Sequence, residues 1–163
     1  MTKPINKSRS GMTLVEVLVV VSILALLAAF IIPAYNLAMR RREISLAASK
    51  FRTAAATFAM YRSETGAYPP TDSTRGTIPP EMAGYFADLK IDKWWTQTTE
   101  LGGKWDWDIN PGASGSTFKY RITIADATKT DQMVDLDKLI DDGNLSTGNF
   151  RLQDAEYCYS LGE

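Results

Sequence analysis

The chain has 163 residues, of which 45% are hydrophobic and 23% charged, enough for one domain of ordinary size beside an apolar segment. Its formal net charge is -1, and because residues 1–11 carry three basic side chains and no acid, the remainder has a net charge of -4. That balance argues against a broad nucleic-acid-binding surface, which needs clustered Lys and Arg. With no histidine and one cysteine, the chain lacks an intramolecular disulfide and any catalytic or zinc site that requires histidine. We interpret Cys158 as a small buried hydrophobe.

An uncharged run of 23 residues extends from Val17 to Met39. At about 1.5 Å per residue a helix of this length crosses the roughly 30 Å hydrocarbon layer of a membrane. A single acid, Glu16, stands immediately before the run. Because an ionisable group at the edge of an apolar span is costly, Glu16 is a candidate functional residue.

The residues before the run predict a cleavage site. Residues 1–10 are polar and basic, and the small residue Gly11 precedes the apolar run, whereas a secretory signal is cut behind its apolar core. This order suggests cleavage between Gly11 and Met12 on the cytoplasmic side, with the apolar helix retained. The basic leader on that side agrees with the positive-inside rule.

The sequence from Gly11 to Val20, GMTLVEVLVV, resembles the prepilin cleavage and methylation motif of type IV pilins and of the pseudopilins of type II secretion. In that family a prepilin peptidase cuts after the Gly, the new N-terminus is N-methylated, and a Glu is the fifth residue after the cut. Met12 and Glu16 occupy those two positions. The alternative is an uncleaved signal anchor in which the Glu is accidental.

Glu16 has a physical reason to act in assembly. Cleavage creates an amine at Met12, one helical turn from Glu16, and neither charge is compensated in an isolated subunit. In a stack of subunits the carboxylate of one can meet the amine of the next, and pairing in a low dielectric favours a fixed register. We therefore interpret Glu16 as an assembly and register device.

Pro33 is the second special position in the apolar run. It has no N–H for the carbonyl of Ala29, so we expect the helix to kink or loosen just before it. The resemblance implies a local stretch on assembly. A harmless kink tolerated in lipid remains the alternative.

The chain after Met39 predicts an α+β head. Arg40, Arg41 and Arg42 end the apolar run, and an amphipathic helix follows that should end at Gly66, before Pro69. Its large apolar residues recur every seven positions, but with barely three heptads a coiled coil is disfavoured; they are Leu37, Ile44, Phe51 and Phe58. Further elements are predicted as a short helix at 80–89, strands at 104–110 and 118–124 with a loop at 111–116 between them, a helix at 131–141 capped by Thr130 or Asp131, and strands at 150–153 and 157–161.

We therefore predict the pilin fold: a long N-terminal α-helix, transmembrane in its first half and amphipathic in its second, packed on a small antiparallel β-sheet. The predicted segments are a leader (1–11), a transmembrane or filament-core helix (12–39), the amphipathic half of the same helix (40–66) and a globular head (67–163). The second strand, at 118–124, is expected to bury one face only, with Arg121 and Thr123 on the other. Four tryptophans within residues 94–107 are expected to pack in the core rather than to form a ligand-binding patch.

Two acidic groups in the head are candidate sites. Asp141, Asp142 and Asn144 lead a cluster that could bind calcium, an ion that prefers oxygen ligands, and the resemblance implies the same because major pseudopilins bind calcium. The same residues also suit a helix end and turn. Asp106 and Asp108 lie beside tryptophans, and paired carboxylates can catalyse glycoside hydrolysis. These two acids, however, alternate along one strand of a head carried by a membrane helix, so an enzyme is disfavoured.

The predicted function is a structural subunit, and no enzyme, of a type IV pilus-like filament or a type II secretion pseudopilus. The resemblance implies as partners other copies and other pilins, the prepilin peptidase, an inner-membrane assembly platform and membrane lipid. It implies a single pass through the bacterial inner membrane with a periplasmic head, and later a periplasmic or surface filament. The missing cysteine pair favours a pseudopilin. The alternative is a minor or tip pilin that binds glycan, a surface or DNA through the Trp-rich head.

Overall fold

A computed structural model describes residues 11–71, 74–109 and 118–162. It divides into two compact units between Met39 and Arg40. The helices are α1 (Leu14–Thr65), α2 (Ala83–Asp88), α3 (Asp92–Trp95) and α4 (Met133–Ile140), and the strands are β1 (Lys104–Ile109), β2 (Tyr120–Ala125), β3 (Phe150–Gln153) and β4 (Glu156–Ser160). Single 3₁₀ turns, Pro80–Met82 and Thr130–Gln132, lead into α2 and α4. The leader residues 1–10 and the loop predicted at 111–116 lie outside the described residues.

Helix α1 is a single element of 52 residues, as predicted. It ends where the sequence places its C-cap: Gly66 has a φ of 83°, and its N–H donates to the carbonyl of Arg62 at 2.8 Å. A positive φ at this position is the conformation that glycine adopts at low cost. The helix continues through Pro33 without interruption, and the local loosening before Pro33 stays a prediction.

The first unit exposes its apolar side chains on every side of α1. The most apolar 18-residue window of the helix has a mean hydropathy of 3.0, and none of it is buried within the structure. Leu24, Phe30 and Ile31 are each more than half exposed. By length and composition this segment can cross a membrane, and an apolar surface all round a helix is typical of a span rather than of a surface helix.

The second unit contains one antiparallel sheet with the strand order β1-β2-β4-β3. The predicted hairpin of β1 and β2 is confirmed, with Trp107 opposite Ile122. β4 lies between β2 and β3, with Tyr159 opposite both Ile122 and Phe150. Side chains of one strand alternate between the two faces, so these residues share the face that packs against α1.

The core lies between this face and the second half of α1. Ile44, Phe51 and Phe58 are buried, and the ring of Phe58 stacks on Trp107 with centroids 4.2 Å apart. The ring of Phe51 meets Trp105 edge to face at 4.7 Å. The α+β arrangement is therefore confirmed. Leu37, the first residue of the predicted seven-residue repeat, lies in the first unit and is 49% exposed, so the buried stripe begins at Ile44.

The far face of β2 differs from its prediction. Arg121 is 5% exposed and Thr123 is fully buried, whereas the alternating pattern predicted one solvent-facing side. Arg121 is buried because carboxylates surround it: Asp108 and Asp154 both accept hydrogen bonds from its guanidinium group. Alternation of polar and apolar residues therefore did not identify the solvent side of this strand.

The predicted cap of α4 is also wrong. Gln132 precedes the first residue of the helix, and no side chain caps it. Thr130 and Asp131 belong to the preceding 3₁₀ turn. The Asp131 carboxylate instead accepts a hydrogen bond from Arg40 at 3.0 Å, so the acid holds α4 to α1 rather than closing its own helix.

Candidate functional sites

The N-terminus of α1 is closed by a reciprocal pair. The N–H and the hydroxyl of Thr13 donate to Glu16 Oε2 at 2.7 and 2.9 Å, and the N–H of Glu16 donates to Thr13 Oγ1 at 3.3 Å. This is a capping box, and its signature, Thr-x-x-Glu, is readable in the sequence, where Glu16 is interpreted as an assembly residue and not as a cap. The structure thus places Glu16 in a local role in the single chain.

The bond proposed for cleavage lies immediately before that cap. Met12 is 68% exposed, and a Cβ placed at Gly11 would have no atom of the described residues within 4 Å apart from its chain neighbours. Both residues precede the helix, which begins at Leu14. The Gly11–Met12 peptide therefore lies outside the helix, and both of its residues are exposed.

The acidic cluster gathers at the C-terminal end of α4. Asp141 and Asp142 come together as the sequence predicted, and Asp137 from the last turn of α4 joins them: one carboxylate oxygen of each lies within 4.8 Å of the others. The sequence prediction names Asp141, Asp142 and Asn144 as the leading residues of this cluster, and Asp137 is one of the further acids close to them in the sequence. A helical spacing of four from Asp141 is the signal that points to it.

Asp137 is the unusual member of this cluster. It is fully buried, and neither of its carboxylate oxygens has a hydrogen-bond partner of normal geometry among the described residues. Burial, together with the charges of Asp142 and Asp141, raises the pKa of Asp137 to about 6, despite a smaller lowering by the N–H groups of Gly143 and Asn144. A buried acid without partners is costly, and a cation would supply the missing interaction.

The other acids are held by the backbone of the loop that follows. Asp141 accepts hydrogen bonds from the N–H groups of Asn149 and Phe150, the latter at 3.1 Å. Asp142 Oδ1 accepts from the N–H of Asn144 at 2.8 Å. These contacts fix the carboxylates in place.

Asn144 takes part in the turn that follows the cluster. Its amide oxygen accepts from the N–H of Ser146 at 3.1 Å. The hydroxyl of Thr147 donates to Asp142 Oδ2 at 2.6 Å, which lowers the pKa of Asp142. The helix-end and turn interpretation of this sequence therefore describes part of its geometry.

Three of the four tryptophans are buried in the core, as predicted, and Trp94 is partly buried and packs against it. Trp95, Trp105 and Trp107 are at most 1% exposed. The indole N–H of Trp107 donates to the carbonyl of Pro69 at 3.1 Å, and the indole N–H of Trp95 to that of Thr77 at 2.6 Å. These three rings are consumed by packing and offer no surface to a ligand.

Asp106 and Asp108 share one face of β1 but have different surroundings. Asp108 is paired with Arg121, whose Nε donates to it at 2.9 Å. Asp106 accepts from the N–H of Trp107 at 3.0 Å, and burial raises its pKa to about 6. One carboxylate is thus committed to a buried arginine, an arrangement that stabilises the sheet.

Comparison with known proteins agrees with this arrangement. The prokaryotic N-terminal methylation motif matches residues 6–32. The type II secretion system core protein G of Pseudomonas aeruginosa is 30% identical over 100 residues, which span 55% of this chain and 70% of that protein. No solved structure gives a significant match.

The chain therefore belongs to the pilin and pseudopilin family. It is a pilin-like filament subunit with an apolar N-terminal helix suited to membrane anchoring. Its family indicates a structural subunit rather than an enzyme.

Proposed function

We propose that the chain is made as a membrane precursor, cut after Gly11 by a prepilin peptidase, N-methylated at Met12, and assembled through α1 into a pseudopilus of a type II secretion system. The observation that carries this proposal is the N-terminal arrangement: an open Gly11–Met12 peptide, Glu16 five residues into the product, and an exposed apolar run. The similarity to a type II secretion core protein favours a pseudopilus over a type IV pilus.

The same proposal implies a location and a set of partners. The subunit crosses the bacterial inner membrane once, with its head in the periplasm, because the basic leader stays in the cytoplasm. In the membrane it contacts lipid, the peptidase and an assembly platform. In the filament it contacts other copies and other pilins.

Processing is tested by intact mass and N-terminal sequencing of the protein from cells that contain the peptidase. We expect a product that starts at methylated Met12. Gly11→Val is the matched variant: a side chain at position 11 meets no atom within 4 Å, so it blocks the peptidase without disturbing the fold. A wild-type product starting at Met1 in such cells would refute the proposed cleavage.

Glu16 is proposed to pair with the Met12 amine of a neighbouring subunit, which fixes the register. The capping box allows a sharp test, because Gln at this position retains the hydrogen bonds of the cap and removes only the charge, whereas Ala removes both. We expect Glu16→Gln and Glu16→Ala both to lose filaments. Normal assembly by Glu16→Gln would assign Glu16 to capping alone.

Pro33 is proposed to permit a local stretch of α1 on assembly.

The choice between pseudopilus and pilus is tested in a deletion strain. We expect loss of protein secretion, with surface motility and DNA uptake retained. Loss of motility with normal secretion would instead assign the chain to a type IV pilus. Complementation with the wild-type chain controls for effects on neighbouring genes.

We further propose that the head binds calcium at Asp141, Asp142 and Asn144, together with Asp137. The donor set fits a hard cation: three carboxylates converge, and neither carboxylate oxygen of the buried Asp137 has a hydrogen-bond partner of normal geometry among the described residues. Calcium takes six to eight oxygen ligands, so carbonyls and water would complete the shell. Bound calcium would neutralise the mutual repulsion of these acids and fix the loop before β3.

Thermal unfolding with calcium, magnesium or chelator tests this site. A ligand that binds only the folded state raises stability by about 2.7 kcal/mol at a hundredfold excess over Kd. We expect calcium to raise the Tm of the wild type and of Asp88→Asn, an exposed acid elsewhere in the head, but not of Asp137→Asn. An equal rise in Asp137→Asn would refute the site.

A further inference from the structure

Two arginines at the start of the second unit have no polar partner among the residues that the structure describes. Arg41 and Arg42 are exposed, and neither forms a hydrogen bond or ion pair with any residue in the described ranges. They follow almost directly after Met39, the last residue of the uncharged run. Two adjacent exposed cations at the end of an apolar span are suited to bind an anionic group from outside the described residues.

Their neighbours are already engaged within the head. Arg40 contacts Asp131 and Asp135, each at 3.0 Å. Glu43, the acid nearest in sequence, pairs with Lys129 at 2.6 Å. Asp131, Asp135 and Glu43 are thus already paired, whereas Arg41 and Arg42 pair with no described residue.

We propose that Arg41 and Arg42 bind the phosphates of anionic phospholipid headgroups at the head-side surface of the membrane. The inference rests on the proposed membrane anchoring of α1. A helical run of 23 residues covers about 35 Å, slightly more than a hydrocarbon layer of roughly 30 Å, so the first charges after it fall in the headgroup layer.

Arginine suits this partner chemically. Its guanidinium group is always charged and presents N–H donors in a fork that matches two phosphate oxygens. Phospholipid phosphates are present at this depth around every subunit in the membrane, before any neighbouring copy has docked. Each arginine near an anionic surface is worth about 1 kcal/mol, which corresponds to about a fivefold change in association.

The full chain reconstituted in mixed vesicles provides the test. EPR of spin-labelled phosphatidylglycerol and phosphatidylcholine measures the fraction of each lipid immobilised on the protein, and hence their relative association constants. We expect the preference for phosphatidylglycerol to fall about fivefold in Arg41→Gln. It should fall further in the double variant Arg41→Gln/Arg42→Gln. The leader cations are the same in all chains, so the difference isolates the pair.

The matched control is Lys90→Gln/Lys93→Gln, which removes the same charge from two exposed positions of the head. We expect its preference to equal that of the wild type. An equal loss in this control would make the effect one of net charge and overturn the assignment. Unchanged preference in Arg41→Gln/Arg42→Gln would also overturn it, and if self-association fell instead, the partner is an acid of another copy.

Inorganic phosphate and neutral vesicles separate the remaining alternatives. Preference that persists in phosphate buffer supports lipid headgroups, whereas preference abolished by free phosphate at constant ionic strength would indicate a general anion site. Flotation with neutral phosphatidylcholine vesicles reports anchoring alone. A chain that does not float would refute anchoring and this inference together, whereas floating without lipid preference refutes only the role of the arginines.

Discussion

Asp108 and Arg121 are direct cross-strand partners of β1 and β2, and Arg121 Nε donates to Asp108 Oδ2 at 2.9 Å. The guanidinium is almost wholly buried and also donates to Asp154 at 3.3 Å. Since arginine stays charged in proteins, its burial depends on these two acids. The far side of the sheet is therefore held by an ion network rather than by an apolar layer.

Removal of one acid from this network should destabilise the head. Asp108→Asn leaves a buried arginine with the more distant Asp154, and breaking a buried pair costs about 3 kcal/mol. Urea unfolding of the chain in detergent measures this, because tryptophan fluorescence reports the head alone. Asp88→Asn, the same change at an exposed position, should cost less than about 0.5 kcal/mol. Equal values for the two would contradict the network.

Substitution of Asp106 should stabilise the head, unlike substitution of Asp108, and the size of this effect should depend on pH. Burial raises its pKa to about 6 from an ordinary value of 3.8, so the folded state holds this proton more tightly than the unfolded state. The stabilising contribution is fully present below about pH 4 and is lost as pH rises through about 6. Asp106→Asn removes the charge while keeping the shape of the side chain. The variant should therefore unfold at higher urea than the wild type at pH 7.5 and at the same urea at pH 4.

If Asp106→Asn raised the urea midpoint at pH 4 as much as at pH 7.5, the charge of the carboxylate would not be the cause of the stabilisation. The contrast with Asp108→Asn is the internal control, since both acids lie on the same face of β1. One substitution should stabilise the head at neutral pH and the other destabilise it.

The stack of Phe58 on Trp107 should dominate the attachment of α1 to the sheet. Phe58→Ala removes a fully buried ring, which costs about 3 to 5 kcal/mol in well-packed cores. Met60→Ala, two residues further along the same helix and 41% exposed, should cost less than about 1 kcal/mol. Urea midpoints for the two variants provide the comparison, and similar losses would mean that α1 is not held by this ring.

The loop that follows the acidic cluster should require glycine at position 148 to keep its conformation. Its φ is +73°, and a side chain there would overlap the carboxylate of Asp141. Gly148→Ala combines the backbone cost of about 1 to 2 kcal/mol with displacement of that acid. Gly162→Ala is the control, because its φ is +101° but no atom lies within 4 Å. We expect Gly148→Ala to be more destabilised than Gly162→Ala and to respond more weakly to calcium. Equal effects in the two variants would show that displacement of Asp141 has no influence on stability or calcium binding.

The elements that the sequence predicts well are those set by local chemistry. The end of α1 follows from Gly66, and the burial of Phe51 and Phe58 follows from apolar spacing along one helix face. The four strands follow from alternation and turn residues. These signals are local, so a single sequence contains them.

Features that depend on distant partners were predicted poorly. The burial of Arg121 depends on Asp108 on the neighbouring strand and on Asp154 in the β3–β4 turn, 33 positions away. Asp131 was expected to cap α4, but Arg40, 91 positions earlier, binds it instead. In the acidic cluster Asp137 was not among the leading predicted ligands, because its burial depends on tertiary packing. Charge and polarity alone do not reveal which polar groups a fold encloses.

The single thiol of the chain is a natural probe for local opening of the sheet. Cys158 is fully buried on β4, and burial raises its pKa to about 12, so the folded head presents no reactive thiolate. A thiol reagent can modify it only after β4 separates from its covering. The labelling rate relative to a free thiol thus reads out the opening free energy of the central strands, in the membrane-bound subunit and in the filament alike.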